Sequence, residues 1–274
     1  MNKISEWIKQ YCEKYGIRSL VVGVSGGIDS ALTSKLCALT GIETIVLTMP
    51  IHQAPDQHLR GLGHIDWLND EHRNVSHINL DLTSMYDAFV HLLNEDNIDS
   101  QTDAKGIDGI NSAIELGYKR AKQEKYSHAL ANTRARLRMT ALYQLAQVNG
   151  GIVVGTGNKV EDFGVGFFTK YGDGGVDISP IADLTKTEVR EMAKELGVLE
   201  EILNAPPTDG LWDDGRTDED QIGATYEELE WAMEYSGDGH DLTERQKEIK
   251  EIYNKFHTQN KHKMIPIPVY TKDA

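Results

Sequence analysis

Cysteine is almost missing from this chain: Cys12 and Cys37 are the only two in 274 residues, and they form no CxxC pair. Neither a disulfide framework nor a cysteine metal site fits that usage. Long apolar runs are missing as well. No stretch approaches the roughly 18 residues that a membrane span needs, and the N-terminal MNKISEWIKQYCEKY is broken by charges every few residues, unlike a signal peptide. The chain therefore reads as soluble and cytoplasmic. Basic residues are in deficit, 28 Lys and Arg against 43 Asp and Glu, for a formal net charge of −15. Nucleic acid is a poor partner for such a surface, because its affinity rests on phosphate neutralisation. A local basic pocket for a small anion stays compatible with it. Repeats and low-complexity segments are absent too. What remains is an ordinary globular mix, 39% apolar and 26% charged, of a length that suits one α/β domain over residues 1–274.

Ile4, Trp7, Ile8 and Tyr11 share a face at helical spacing, so an amphipathic helix opens the chain and Gly16 ends it. The β-branched run Ser19–Val24 has the composition of a buried strand. A helix follows with Ala31, Leu32, Leu36 and Leu39 inward, then a second strand over Glu43–Met49, closed by Pro50. Leu59, Leu62, Ile65 and Trp67 restore helical spacing, Asn74–Leu80 gives a third strand, and a helix runs from about Ser84 to Leu93. Residues 94–106 are polar loop. The pattern from Asn111 to Gln147 is helical with a break near Ser127; Gly151–Gly155 is a fourth strand and Gly175–Ile181 a fifth. Thr185 and Glu188 have the spacing of a capping box for a helix that Gly197 stops. The acidic, turn-rich stretch 204–221 reads as a mobile loop, and two further helices precede the tail MIPIPVY. This alternation predicts a doubly wound, mostly parallel five-stranded sheet with helices on both faces.

Charge is unevenly spread. Residues 209–251 hold 15 acids and 4 bases, whereas residues 118–138 hold 7 bases and the single acid Glu124. By itself the basic stretch would be a solvated helix face. In an otherwise acidic chain it favours an anion site or a contact with the acidic half of a partner subunit.

The strongest local signal is Gly23-Val24-Ser25-Gly26-Gly27-Ile28-Asp29-Ser30, set between a strand and a helix. Adjacent glycines let backbone approach an anion closely, and the amides of the loop and helix N-terminus point at phosphate. Ser25 and Ser30 add hydroxyls, and Asp29 offers a hard carboxylate suited to Mg²⁺. A bare glycine pair would more often be a capped turn; the whole string in strand–loop–helix context reverses those odds. It is neither a Walker A loop nor a GxGxxG fingerprint. A second group, Val153 to Glu161, follows the fourth strand, so that Thr156 and Glu161 flank the same cleft. Glu161 there can share a cation with Asp29. A third, Gly166-Phe-Phe-Thr-Lys-Tyr-Gly-Asp-Gly-Gly175 with Asp177, carries Lys170 and Asp173 in a glycine-rich loop suited to a ligand of both charge signs.

The SGGIDS string resembles the pyrophosphate-binding loop of the N-type ATP pyrophosphatases, which cleave ATP between the α and β phosphates. FFTKYGDGG is similar to the substrate loop of the NAD synthetases within that superfamily. Asn132-Thr-Arg-Ala-Arg-Leu-Arg-Met139, Leu184-Thr-Lys186, Pro207-Thr208 and His262-Lys263 follow the same family's order along nearly the whole chain. Residues 50–110 carry nothing diagnostic. Only 22 residues precede Gly23, and both cysteines lie in ordinary helical patterns, so the resemblance is to the ammonia-dependent form, without an amidase domain.

That resemblance implies an adenine nucleotide alpha-hydrolase-like fold and a reaction of deamido-NAD, ATP and ammonia to NAD, AMP and pyrophosphate. It assigns Gly23 to Ser30, Thr156, Lys186 and Thr208 to ATP, and Asp29 and Glu161 to Mg²⁺. Arg136, Lys170, Asp177, His262 and Lys263 are assigned to deamido-NAD, some from a neighbouring subunit of a homodimer. Asp173, Lys186 and Ser25 are the implied catalytic residues, Asp173 as the acceptor of the ammonium proton. Two other readings compete on the residues. A tRNA-modifying adenylating enzyme would bring a basic RNA-binding surface or extra cysteines. A nucleotide-binding regulatory module would need neither paired metal carboxylates nor a second anion pocket.

Overall fold

Leu20, Val21 and Val22 are wholly buried, as a central strand covered on both sides requires. They belong to β1 (Ser19–Gly23), which pairs in parallel with β2 (Glu43–Thr48) on one side and with β4 (Ile152–Val153) on the other. β3 (Val75–Asn79) adds to β2, giving the all-parallel order β3-β2-β1-β4. The computed structural model describes residues 2–92, 112–208, 217–237 and 240–272, and within 112–125 the backbone alone.

The period-2 alternation of β1 divides the core. Leu20 and Val22 face a cluster with Ile8, Leu32, Leu36, Ile181 and Val189. Val21 faces the opposite cluster with Ile45, Leu47, Leu82, Tyr86 and Val153. The first face is therefore covered by α1 (Lys3–Tyr15), α2 (Ile28–Ala38) and α6 (Lys186–Glu195). The second is covered by α4 (Thr83–Leu92) and α5 (Ser112–Val148). Between β2 and β3 runs α3 (Pro55–Glu71), whose Ile65 meets Val46 and Val24. As expected, Gly16 closes α1 with φ 66°, and Thr185 and Glu188 form a reciprocal capping box on α6.

Three details differ from the sequence-based expectation. The helix is continuous through Ser127, because one uninterrupted α5 spans 37 residues. The fifth strand is reduced to a parallel bridge, Val154 to Ile178, with Gly155 N–H donating to the Ile178 carbonyl at 2.8 Å and Asp177 N–H to the Val153 carbonyl at 2.9 Å. β4 offers only two residues beside it, and Pro180 has no N–H to extend the ladder. Beyond Gly197 the described residues form four helices, not two: α7 (Glu200–Leu203), α8 (Asp218–Ile222), α9 (Tyr226–Glu234) and α10 (Glu244–Met264). Residues 218–221, expected in a loop, are thus helical, and 209–216 of that stretch lie outside the described residues. Helices α9 and α10 build a third cluster around Tyr226, Leu229 and Ile249, against Val160 and Val165.

Candidate active site

β1 ends at Gly23 and α2 begins at Ile28, so the intervening loop lies beyond the carboxyl end of the central strand. All eight residues from Gly23 to Ser30 line one cleft. Ser30 Oγ accepts from the Ser25 N–H (3.2 Å) and donates to the Gly27 carbonyl (3.0 Å), which folds the loop on itself. Gly27 is the N-cap of α2 and supplies no capping side chain. The helix therefore begins with backbone amides unspent by a side chain, the arrangement that attracts phosphate.

Of the two loop glycines, Gly26 is the one the backbone demands. Its φ is +87°, and a Cβ built there would stand 2.4 Å from the Gln57 carbonyl oxygen of α3. Gly26→Ala is expected to cost at least about 2 kcal/mol, combining left-handed strain of about 1–2 kcal/mol with displacement of α3. Urea unfolding and nucleotide affinity should both fall; wild-type values for both would contradict this role for the loop.

On the opposite wall, Asn158 caps a π-helical segment (Lys159–Val165) by accepting from the Val160 and Glu161 N–H groups, both at 3.1 Å. Such segments recur at functional sites. This one carries Glu161 and Asp162 into the cleft. Lys186, the first residue of α6, donates to Asp29 Oδ2 at 2.5 Å and to Glu161 Oε1 at 2.9 Å. The Asn158 amide donates to Asp29 Oδ1 at 3.1 Å, and the Tyr226 hydroxyl to Glu161 Oε1 at 2.5 Å. Burial disfavours the Lys186 ammonium, but the two carboxylates outweigh it and hold its pKa above the ordinary range. Burial likewise opposes ionisation of Glu161, yet Lys186 and Tyr226 win and keep it below the usual value. Asp29 is raised, by burial first, against the pull of Lys186.

Asp29 and Glu161 thus already converge on one cation, the protein's own ammonium. Among the described residues no cluster of three or more His, Cys, Asp or Glu side chains is arranged for a metal. Two hard carboxylates that share a cation still fit Mg²⁺, which keeps most of its water and takes substrate phosphates as further ligands.

Thr156, Thr208 and Asp173 line the same cleft. Asp173 accepts from the Thr169 N–H at 3.0 Å. Its carboxyl is open to the cleft but has dense protein around it, and this desolvation pushes its pKa up to about 6. The other expected substrate residues are not among those lining the cleft. Arg136 donates to the Lys170 carbonyl (3.3 Å) and Lys170 to the His262 carbonyl (3.2 Å), so these three stand together beside the cleft. Lys263 donates to the Phe168 carbonyl at 2.7 Å with its ammonium 4.8 Å from the Phe168 ring. Burial lowers its pKa against the opposing pull of Asp173 and Asp162. Asp177 accepts from the Val153 N–H (2.8 Å) with one oxygen and from the Tyr143 hydroxyl (3.1 Å) with the other, so within this chain it ties the end of β4 to α5.

The three arginines of the basic stretch have separate fates. Arg134 is buried over the Tyr86 ring at 4.8 Å, Arg136 is exposed, and Arg138 lines the cleft and donates to the Met49 carbonyl at 3.0 Å. Sequence reasoning did not find Asn158, Asp162, Tyr226 or Asp218, nor Gln53, Gln57 and Arg60 from the stretch without diagnostic residues, all of which line or brace the cleft.

The model of one family, described as NAD synthase, matches residues 1–266. A relative from Methanococcoides burtonii, an NH(3)-dependent NAD(+) synthetase, is 37% identical over 87% of this chain and 80% of its own. Another of that description, from Alkaliphilus metalliredigens, is 35% identical over 98% of this chain and 96% of its own. Among solved structures, an NMN synthetase from Francisella tularensis superposes with a TM-score of 0.77 at 32% identity, covering 98% of this chain and 95% of that one. The glycine loop and the carboxylate–lysine cluster stand in a chain that the family model matches over residues 1–266 and that these relatives cover nearly end to end: the chain belongs to the NAD synthase family.

Proposed function

We propose that the chain, acting as one domain over residues 1–274, is an ammonia-dependent NAD synthetase that joins ammonia to the nicotinate carboxylate of deamido-NAD at the expense of ATP. The observation that carries this reading is the convergence of Asp29, Glu161 and Lys186 under the Gly23–Ser30 loop, with Asp173 on the same cleft. A carboxylate is inert toward ammonia because it has no adequate leaving group. Its oxygen attacks the α-phosphorus of ATP, pyrophosphate leaves, and the acyl adenylate then accepts ammonia and expels AMP. Such chemistry asks the protein to neutralise phosphate charge, align the reactants and exclude water.

In this reading the loop amides, Ser25, Ser30, Thr156, Thr208 and Lys186 hold the phosphates. Asp29 and Glu161 would hold Mg²⁺, which supplies charge neutralisation at the phosphoryl oxygens. Asp173 accepts the proton of ammonium and frees its lone pair. Arg136, Lys170, His262, Lys263 and Asp177 take the dinucleotide where two copies of the chain meet. The ammonia dependence has separate support. Cys12 and Cys37 are both wholly buried, burial pushes the Cys12 thiol up to about 11 and Cys37 higher still, and neither is a nucleophile for glutamine hydrolysis. The NMN synthetase likeness raises a second reading, in which the acceptor is the mononucleotide carboxylate.

One assay separates these readings: pyrophosphate release with ATP and ammonium chloride, supplied with deamido-NAD, with its mononucleotide, or with neither. Release that depends on deamido-NAD is expected. Release dependent on the mononucleotide alone would establish the second reading, and release with glutamine in place of ammonium would sink the ammonia-dependent one. Arg136→Ala should raise the KM for deamido-NAD about tenfold, the ~1.4 kcal/mol of one lost charged hydrogen bond, while the KM for ATP stays within about twofold. Equal changes in both would remove Arg136 from the dinucleotide site.

A further inference from the structure

Helix α9 is fastened to α6 through three neighbouring side chains. Glu230 accepts from the Thr187 N–H (2.9 Å) and hydroxyl (2.7 Å), and Glu227 pairs with Arg190 at 2.9 Å. Tyr226 sets its ring 4.7 Å from the Lys186 ammonium. The Glu227–Arg190 pair lies at the surface, but Tyr226 is only 1% exposed, and its hydroxyl is aimed into the carboxylate cluster. That hydroxyl lies 2.5 Å from Glu161 Oε1 and 3.2 Å from Asp218 Oδ2. A phenol has one proton, so it serves one of these acceptors fully at a time. The shorter distance selects Glu161.

The same Glu161 oxygen accepts from Lys186. Lys186 spends two of its three N–H donors on the carboxylates; a triphosphate that takes the third competes with them for the ammonium's charge, so nucleotide binding draws the ammonium toward the phosphates and weakens its hold on its present partners. As Lys186 moves off, the largely buried Glu161 carboxylate needs a remaining donor to keep its orientation toward the cation that arrives with the nucleotide, and losing every donor on that oxygen would carry a cost that holds the lysine back. We propose that Tyr226 is a positioning residue of the nucleotide site, whose hydroxyl keeps the Glu161 carboxylate bonded and oriented while Lys186 transfers to the triphosphate. The inference rests on the ATP-dependent reading above.

Tyr226→Phe keeps the ring and its packing and removes only the hydroxyl. Calorimetric titration of the folded variant with MgATP should give a Kd about tenfold above wild type, with the KM for ammonium unchanged. In a Glu161→Ala background the same substitution should change the Kd by less than twofold, because the acceptor it acts through is gone. A purely structural role would instead lower the melting temperature and weaken binding equally in both backgrounds, and that result overturns the proposal. So does a Tyr226→Phe variant with wild-type affinity. If the phenylalanine variant does not fold, 3-fluorotyrosine placed at position 226 retains the hydroxyl. Its ¹⁹F resonance should shift when MgATP draws Lys186 off the shared oxygen, and an unmoved resonance counts against the proposal. Failure of the wild type itself to bind ATP would overturn the functional reading, and with it this one; wild-type binding with an unaffected variant overturns this one alone.

Discussion

Lys186→Met is expected to lower the unfolding free energy by about 3–5 kcal/mol at neutral pH and to leave no measurable turnover. Methionine fills most of the volume, so packing is nearly conserved. What is lost is the cation between Asp29 and Glu161, whose side chains are 17% and 16% exposed around a lysine that is 3% exposed. Two carboxylates then face each other in a place with little water, and at least one must take up a proton or separate. The pH dependence gives the test its sign. In the wild type Lys186 and Tyr226 hold Glu161 below the usual range, so that stabilisation is present above the unfolded pKa and fades as pH falls through the folded one. In the variant the carboxylate pKa values rise, so the penalty is complete at neutral pH and shrinks in acid, where both groups are protonated. Urea unfolding at pH 7 and pH 5 should therefore show the variant's deficit contracting. Mg²⁺ should raise the melting temperature of the variant more than that of the wild type, since it can take the place of the ammonium between the carboxylates. A variant as stable as wild type at pH 7 would mean that the three groups do not form one electrostatic unit.

The pair that sets this site was partly legible in the sequence, for reasons of distance along the chain. The SGGIDS loop is a local signal: strand, glycines and helix start lie within a dozen residues, and each part has a propensity that can be read alone. Glu161 is legible from its position behind a strand, and Lys186 from the family resemblance of Leu184-Thr-Lys186. Asn158 and Tyr226 are not. Asn158 reaches Asp29 across 129 positions, and Tyr226 reaches Glu161 across 65. Nothing in their own neighbourhoods marks them, since an asparagine before a helix reads as a cap and a tyrosine among Leu229 and Trp231 reads as core. Both readings are also correct, and the site uses the one polar atom left over.

The sheet shows the opposite kind of error. Gly175–Ile181 has the composition of a strand, yet pairing needs a partner of equal length, and β4 stops after Val153. The polar neighbourhood of Ser127 reads as a break in the helix. Tertiary contacts decide otherwise: Ala131, Ala135 and Ala146 of the same helix are buried, and one continuous α5 results. Residues 50–110 carried no diagnostic residue, although Gln53, Gln57 and Arg60 line the cleft, because the wall they form depends on how α3 abuts Gly26.

Asp173→Asn is expected to reduce kcat with ammonium by about 10²–10⁴-fold, the usual contribution of a positioned base, in a chain that folds as before. Asparagine retains an oxygen to accept from the Thr169 N–H, so the loop geometry survives. What it removes is a group whose pKa, pushed up to about 6 by the dense protein around it, suits proton transfer near neutrality. The ionised form is the active one. Wild-type kcat should accordingly rise with pH through about 6 and level off above it, whereas the asparagine variant should lack that rise. Free ammonia also increases with pH, so each point is compared at a fixed concentration of free ammonia, not of total ammonium. The stability effect has its own sign. A carboxyl whose folded pKa is raised penalises the folded state above that pKa and ceases to do so in acid. The variant should gain a little stability at neutral pH and none in acid. Because the Asp173 carboxyl is itself open to water in the cleft, that gain is screened and should stay within about 1 kcal/mol. Lys263 offers an internal control: its ammonium favours the ionised Asp173, so Lys263→Met should shift the wild-type inflection to higher pH without abolishing it. An Asp173→Asn variant with the wild-type pH profile and near wild-type kcat would place the proton acceptor elsewhere, and Asp162, half-buried in the same cleft with its carboxyl held well above the ordinary range by burial first and then by its acidic neighbours, is the next group to test.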